Sequence, residues 1–203
     1  MDKLYKQLFL SELKLGMATY LPAFKAYRVP GNHPHKDVFA GALLFSSLVH
    51  SEKVAWLWWT LGAGVERSFD VALGWSPGPA VLPHQGRHDP RIYSLREPTN
   101  QLTAASIRLQ QILGESALGG FTISTPWDQL LAVKAAAPKR EHDAAMKKAY
   151  AEATALSEQQ RLQAVRVVLG RVFESLLLVM PPFIKALHSS AGDAEPVSGR
   201  ADR

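Results

Sequence analysis

Residues 82–93, with the sequence LPHQGRHDPRIY, contain the densest group of side chains suited to chemistry in this chain. His84, His88 and Asp89 carry the donor atoms that a zinc ion accepts. Their spacing is not diagnostic, because Gly86 interrupts the segment and no helix fixes both imidazoles on one face. The alternative ligand set, which requires two loops to meet, is His33, His35, His84 and His88. A hydrolytic site at His84, His88 and Asp89, with or without a metal, is therefore an alternative hypothesis.

The same segment is also suited to binding a protein. Arg87 and Arg91 place positive charge beside any bound cation, which opposes a divalent metal. Guanidinium groups suit an acidic protein surface, since they hold carboxylates bidentately. With Tyr93 beside them, these arginines predict a loop that contacts a partner. We expect no metal and no cofactor here.

Three of the five tryptophans lie within four residues, at Trp56, Trp58 and Trp59. The surrounding segment, 52–74, is apolar nearly all round and is predicted to be a central buried helix. Adjacent residues of a helix diverge by about 100°, so the three rings cannot share one face. Because tryptophan is enriched in binding hot spots, Trp56 and Trp59 are candidate partner contacts.

The same segment carries three charged residues, Glu66, Arg67 and Asp70. A buried charge is costly unless it is paired, so these positions imply a partner group or a polar cleft. Arg67 and Asp70 at i,i+3 of a helix would satisfy each other, which is the structural interpretation. The functional interpretation makes Glu66 and Arg67 part of a binding pocket.

Composition narrows the class of protein. The chain has 203 residues, of which 47% are hydrophobic and 20% charged, as expected for one globular domain. It has no cysteine, which excludes disulfides and thiolate chemistry. The net charge is +5, with six Lys or Arg against two acids in residues 1–36. Nucleic-acid binding through this basic third is a weaker alternative, since no dense cationic face with interleaved aromatics accompanies it.

The apolar runs are too short to cross a bilayer. Residues 38–49 and 54–65 each fall below the roughly 20 residues that a spanning helix needs. Residues 176–184 are fewer still and include Pro181 and Pro182. The sequence therefore predicts no transmembrane segment and a cytoplasmic location.

Apolar residues recur at intervals of three and four along most of the chain, which predicts helices. The first begins at Leu4 and ends between Pro22 and Arg28. A capping box, Ser157-x-x-Gln160, opens the strongest one, which the double proline should kink or end. Other helices are predicted near 38–45, 52–74, 99–113, 125–138 and 139–155. Short strands are predicted at 80–82, 92–95 and 121–124.

These elements predict an all-α protein, a single compact bundle-like domain of six or seven helices in residues 1–187. A long loop with five prolines, residues 75–98, and at most minor short strands complete it. Residues 188–203 are predicted to be a disordered tail.

The leading functional hypothesis is a non-enzymatic protein-binding module for one partner, of the adaptor, escort or neutralising immunity type. The sequence favours an acidic partner and leaves both a monomer and a homo-oligomer open.

Overall fold

The computed structural model describes residues 1, 3–32, 41–50, 53–62, 67–78, 105–114, 120–123, 141, 143–144, 147–148, 151 and 155–189. The elements in chain order are α1 (Lys3–Tyr20), β1 (Lys25–Tyr27), β2 (Ala42–His50), β3 (Lys53–Leu61), β4 (Ser68–Pro77), β5 (Ala105–Arg108), α2 (Leu109–Ile112), β6 (Phe121–Thr122) and α3 (Glu158–Ser189).

The fold is α+β, and the prediction of an all-α bundle of six or seven helices is wrong. An antiparallel sheet in the order β1-β2-β3-β4-β5 forms its centre, and β6 pairs with the first part of β4. Two long helices, α1 and α3, pack on one face of this sheet and on each other. The described part of the chain is thus a sheet with a helical layer.

The error is clearest in segment 52–74, whose described residues form β3 and β4, the two paired strands of a hairpin, and not a helix. Leu57 pairs with Leu73, and Trp59 pairs with Val71. Both faces of β3 are buried, so its sequence shows no alternation between apolar and polar residues. A strand buried on both sides cannot be told from a buried helix by its periodicity. The helix predicted near 38–45 is wrong in its described part for the same reason, because residues 42–45 belong to β2.

Alternate residues of the hairpin build two apolar clusters. The first faces the helices and includes Ala55, Leu57 and Trp59 of β3 and Phe69, Val71 and Leu73 of β4. The second lies on the other face of the sheet, where Val54, Trp56 and Trp58 meet Leu44 and Ala72. The sheet is therefore the middle of the structure, and its outer edge strand β1 is only three residues long.

The predicted start of the last helix is confirmed. The backbone N–H of Ser157 donates to Gln160 Oε1 (2.9 Å), and the N–H of Gln160 donates to Ser157 Oγ (3.2 Å). The helix continues through Pro181 and Pro182 to Ser189, so the double proline does not end it. The predicted apolar stripe is largely buried, at Val165, Leu169, Val172, Leu176, Val179 and Phe183.

Residues Glu158–His188 are, by length and composition alone, apolar enough to cross a membrane. They form the one such helix in the described part of the chain, and 39% of its most apolar window is buried against the rest of the protein. Its buried stripe packs on the sheet and on α1. A core helix passes the same test, so this finding alone assigns no membrane.

The two long helices run in the same direction and are held by a close contact and an ion pair. Gly16 lies against the ring of Phe173, and Arg166 donates to both carboxylate oxygens of Glu12 (2.9 and 3.0 Å). Near the other end of α3, Lys53 Nζ donates to the carbonyl of Leu187 (3.3 Å). A cation at the last carbonyls of a helix is favourable.

The remaining predictions divide into three groups. The strand predicted at 121–124 is confirmed as β6 at its first two residues, while the described part of the helix predicted at 99–113, from residue 105 on, is a strand followed by one helical turn. The described positions of 141–151 are helical and exposed, as a solvated surface helix requires. Residues 75–77 of the predicted loop 75–98 lie in β4, and residues 188–189 of the predicted disordered tail 188–203 lie in α3, so both predictions are wrong there. The strands at 80–82 and 92–95, the helix at 125–138, and the rest of the loop and of the tail beyond residues 78 and 189 lie outside the described residues.

Truncating the buried stripe of α3 should destabilise the protein. Leu169 and Leu176 are 3% and 0% exposed, so changing either to alanine leaves a cavity and should lower the free energy of unfolding by about 2–5 kcal/mol. The control Leu178→Ala, on the same helix but 76% exposed, should change it by less than about 0.5 kcal/mol. Urea denaturation of the three variants measures the difference. Equal midpoints would contradict the placement of α3.

A methyl group at Gly16 should also be destabilising. A Cβ there would lie 2.1 Å from Cε2 of Phe173, a ring that is itself buried between α1 and Trp59. We expect Gly16→Ala to cost about 1–3 kcal/mol through overpacking, although alanine favours a helix. Gly170→Ala in α3 meets nothing within 4 Å and should gain up to about 1 kcal/mol. The melting temperatures of the two variants measure the difference. Equal melting temperatures for Gly16→Ala and Gly170→Ala would contradict the close contact between the helices.

Candidate binding surface

Many of the residues singled out by sequence lie outside the part of the chain that the structure describes. These are His33, His35, Glu66, His84, Arg87, His88, Asp89, Arg91 and Tyr93. The metal, hydrolytic and arginine-binding hypotheses for them therefore stay predictions. Among the described residues, no three His, Cys, Asp or Glu side chains come together as metal ligands would.

Trp56 is fully buried on the face of the sheet opposite the helices. Its Nε1 donates to Ser76 Oγ (2.6 Å), and Ser76 Oγ donates to the carbonyl of Gly78 (3.0 Å). The Tyr27 ring meets its indole edge-on, with centroids 4.9 Å apart. The indole is therefore held on one side by hydrogen bonds and on another by a ring, inside the chain's own core.

Trp59 is equally buried, on the face of the sheet that the helices cover. Its ring contacts Phe9 of α1, Phe69 of β4 and Phe173 of α3, with centroids 6.2, 5.7 and 5.8 Å away. Such tilted aromatic contacts stabilise a core beyond the area they bury. Trp59 thus joins both helices to the sheet. Neither Trp56 nor Trp59 is exposed to a partner in this structure.

Arg67 is 3% exposed and precedes β4, with its guanidinium 4.4 Å from the centre of the Tyr5 ring. A cation over an aromatic face is favourable, and more so where water is excluded. Its carbonyl accepts from the N–H of Ile123 (2.9 Å). These contacts fix α1 and the β6 segment to the same end of the sheet, which is a structural role.

Asp70 does not stand in a helix beside Arg67, so the i,i+3 geometry assumed for this pair is absent. It lies in β4 opposite Thr60 of β3, and alternation places it on the other face from Phe69 and Val71. Gly120 approaches its carboxylate so closely that a Cβ there would lie 3.0 Å from Asp70 Oδ1.

The accessible apolar groups are elsewhere, on the helical layer. Seven large hydrophobic side chains of the described residues are exposed, and six belong to α1 or α3. We call these six the helical face: Leu4, Leu15, Tyr20, Val167, Leu177 and Leu178. The seventh, Leu48, is on β2 and is 67% exposed. Tyr20 of α1 contacts the buried ring of Phe173 of α3, with ring centroids 5.2 Å apart.

The helical layer is positively charged. Helices α1 and α3 together carry seven Lys or Arg against three Glu. The hydrogen bonds and the negative charge of Glu12 raise the pKa of Arg166. Because both groups of this ion pair are partly in water, its contribution to stability is small. The arrangement suits contact with an apolar surface that carries acids.

Sequence reasoning did not identify the helical face, although one signal for it was present. The apolar residues of α3 that follow a spacing of three and four include Leu176 and Val179. Leu177 and Leu178 both fall outside this spacing, and both are exposed. An apolar residue outside the core stripe is a candidate contact residue.

Comparisons with known proteins give no counterpart. No family model, no curated protein and no solved structure matches the chain.

Removing the hydroxyl beside Trp56 should be costly. Ser76→Ala leaves the buried indole N–H without its acceptor, which should lower the free energy of unfolding by about 1–3 kcal/mol. In a Trp56→Phe background the donor is already absent, so the same substitution should cost less. A double-mutant cycle by urea denaturation measures this coupling. Additive effects would contradict the hydrogen bond.

Proposed function

We propose that this chain is a non-enzymatic protein-binding module for one partner, and that it binds the partner through the helical face. The observation that carries the proposal is the concentration of exposed apolar side chains on α1 and α3. Single exposed hydrophobic residues are ordinary on a protein surface, but contiguous groups mark interaction sites. Here Tyr20 of α1 and Leu177 of α3 both lie next to Phe173, the first in space and the second one turn along.

The rigidity of the helical layer supports the same proposal. Both helices are held in position, because the buried stripe of each packs on the sheet and Gly16 contacts Phe173 directly. Side chains presented by fixed helices lose little backbone freedom when they bind. More of the interaction energy then remains as affinity.

The charge of the helical layer favours an acidic partner. Lys3, Lys6 and Lys14 are exposed on α1, and Arg171 is exposed on α3. Charges at the rim of an interface raise the rate of association with an oppositely charged surface. The arginines of residues 82–93 remain a second candidate contact for the same partner.

Two acidic substitutions on the helical face should abolish partner capture without unfolding the protein. Leu15 and Leu178 are 59% and 76% exposed, so Leu15→Asp with Leu178→Asp should keep the wild-type melting temperature. The immobilised wild type and variant are compared for proteins retained from a lysate of the native cell. A protein held in stoichiometric amount by the wild type should be lost from the variant.

The matched control is Leu48→Asp, which places the same charge at an exposed leucine of β2. This variant should retain the partner. A further variant, Arg87→Ala with Arg91→Ala, tests the other candidate contact. If Leu48→Asp loses the partner as the double variant does, or if the double variant retains it, the helical face is not the binding surface.

A further inference from the structure

We infer that the outward side of α3 binds the same side of α3 in a second copy of this chain, with the two helices antiparallel. This inference goes beyond the proposed function, because it assigns one line of α3 to self-association. The exposed side chains nearer α1, which include Leu15, Tyr20 and Leu177, stay available to the other protein. The order of apolar and charged residues along the line is what points to a second copy.

Four exposed residues form this line, which we call the outward line: Val167, Arg171, Glu174 and Leu178. Successive residues of a helix turn by about 100°, so the four lie within a band of about 60°. The band is on the far side of α3 from its buried stripe. The ion pair of Arg166 with Glu12 lies outside the band, since Arg166 is at least about 80° away, on the side of α1.

The two charges of the outward line are opposite in sign. Neither Arg171 nor Glu174 has an ion-pair partner within the described part of the chain. A charge that an interface covers is costly unless the interface supplies an opposite charge. A surface of one sign pairs with one of these two groups and repels the other, and an anionic bilayer is such a surface. The occupant therefore has to present an acid opposite Arg171 and a base opposite Glu174.

An antiparallel second copy presents both groups. Arg171 and Glu174 are symmetrical about the midpoint between residues 172 and 173, so a two-fold axis there brings each Arg171 to Glu174 of the other copy. Val167 and Leu178 are symmetrical about the same midpoint, so the same axis brings each Val167 to Leu178 of the other copy. Two pairings of different chemistry thus agree on one axis.

The spacing of the outward line also suits two packed helices. Its members are four, three and four residues apart, which is the spacing that keeps side chains on the seam between two coiled helices. A parallel pair in register would place Arg171 against Arg171 and Glu174 against Glu174. The outward line is only about 16 Å long, so the interface is small. Small interfaces are weak, and we expect a dissociation constant of about 1–100 µM.

Sedimentation equilibrium of the full chain measures the self-association. At ~300 µM more than half of the wild-type chains should be in dimers. Arg171→Glu and Glu174→Arg should each weaken the dimer at least about tenfold, because each variant places like charges face to face. Both residues are exposed, so both variants should keep the wild-type melting temperature.

Mixing these two variants in equal amounts should restore a dimer of one copy of each. One copy then carries only acids at the two positions and the other carries only bases, so every pair across the axis is again attractive. A loss of folding or of helix stability does not give this rescue. Two variants that stay monomeric in the mixture would overturn the inference.

The apolar pair is tested by two adjacent leucines. Leu178→Ser should weaken the dimer at least about tenfold, because it removes an apolar contact on each side of the axis. The matched control is Leu177→Ser, which is 44% exposed in the wild type but about 100° round the helix toward α1. The control should keep the dimer. An equal loss in both variants would overturn the placement of the contact.

Introduced cysteines report the direction of the two helices, since the chain has no cysteine of its own. Oxidation of a mixture should link Val167→Cys to Leu178→Cys. It should not link Val167→Cys to itself, because these two positions lie about 16 Å apart in the antiparallel dimer and a disulfide spans at most about 7 Å between Cα atoms. Linkage of Val167→Cys to itself would overturn the antiparallel arrangement.

Failure of this inference differs from failure of the proposed function. A wild type that stays monomeric at ~300 µM overturns the inference, whether the outward line then binds phosphatidylglycerol vesicles or another protein. The proposed function still holds if Leu15→Asp with Leu178→Asp loses the captured protein. If the chain dimerises and that variant retains the captured protein, the proposed function fails and the inference stands.

Discussion

The burial of the β3–β4 hairpin on both faces is the constraint on which the other described elements depend. A strand whose two faces are both apolar must be covered twice. On one side, Leu57, Trp59 and Leu73 are covered by α1 and α3. On the other, Trp56 and Trp58 pack with Leu44 and Ala72. Because every backbone group of a buried strand also needs a partner, β3 lies between β2 and β4 with a long register on each side.

The same constraint explains which parts of the fold were predictable from sequence. Helix α1 and the start of α3 were predicted correctly because each helix keeps a polar side, and the capping box of Ser157 and Gln160 marked where α3 begins. The central strands were mistaken for helices because burial on two faces removes the alternation by which strands are recognised. Short-range patterns therefore identified the outer layer of the structure, while the identity of the middle layer depended on pairing between distant residues.

The mistaken helix at 52–74 also explains why the candidate contact residues were placed wrongly from sequence. As a helix, segment 52–74 would have to expose at least one tryptophan, which made Trp56 and Trp59 candidate contacts. As a strand, it places Trp56 and Trp59 on opposite faces, each inside a core cluster. The exposed apolar side chains of the described residues are Leu177, Leu178 and others on the helices, and the contact surface that we propose lies there and not at the tryptophans. These were hard to identify from sequence, because the exposure of a leucine on α3 depends on where α1 packs.

The position of α1 is fixed by a small residue and not by a large one. Gly16 lets Phe173 approach the α1 backbone, and Phe173 in turn contacts Trp59 of the sheet and Tyr20 at the end of α1. One ring therefore connects the core to the surface proposed for binding. Repacking of Phe173 would move Tyr20 relative to Leu177, so the geometry of the helical face is set by the core beneath it. A binding surface built in this way is already ordered in the free protein. It therefore loses little conformational entropy on association, which favours affinity.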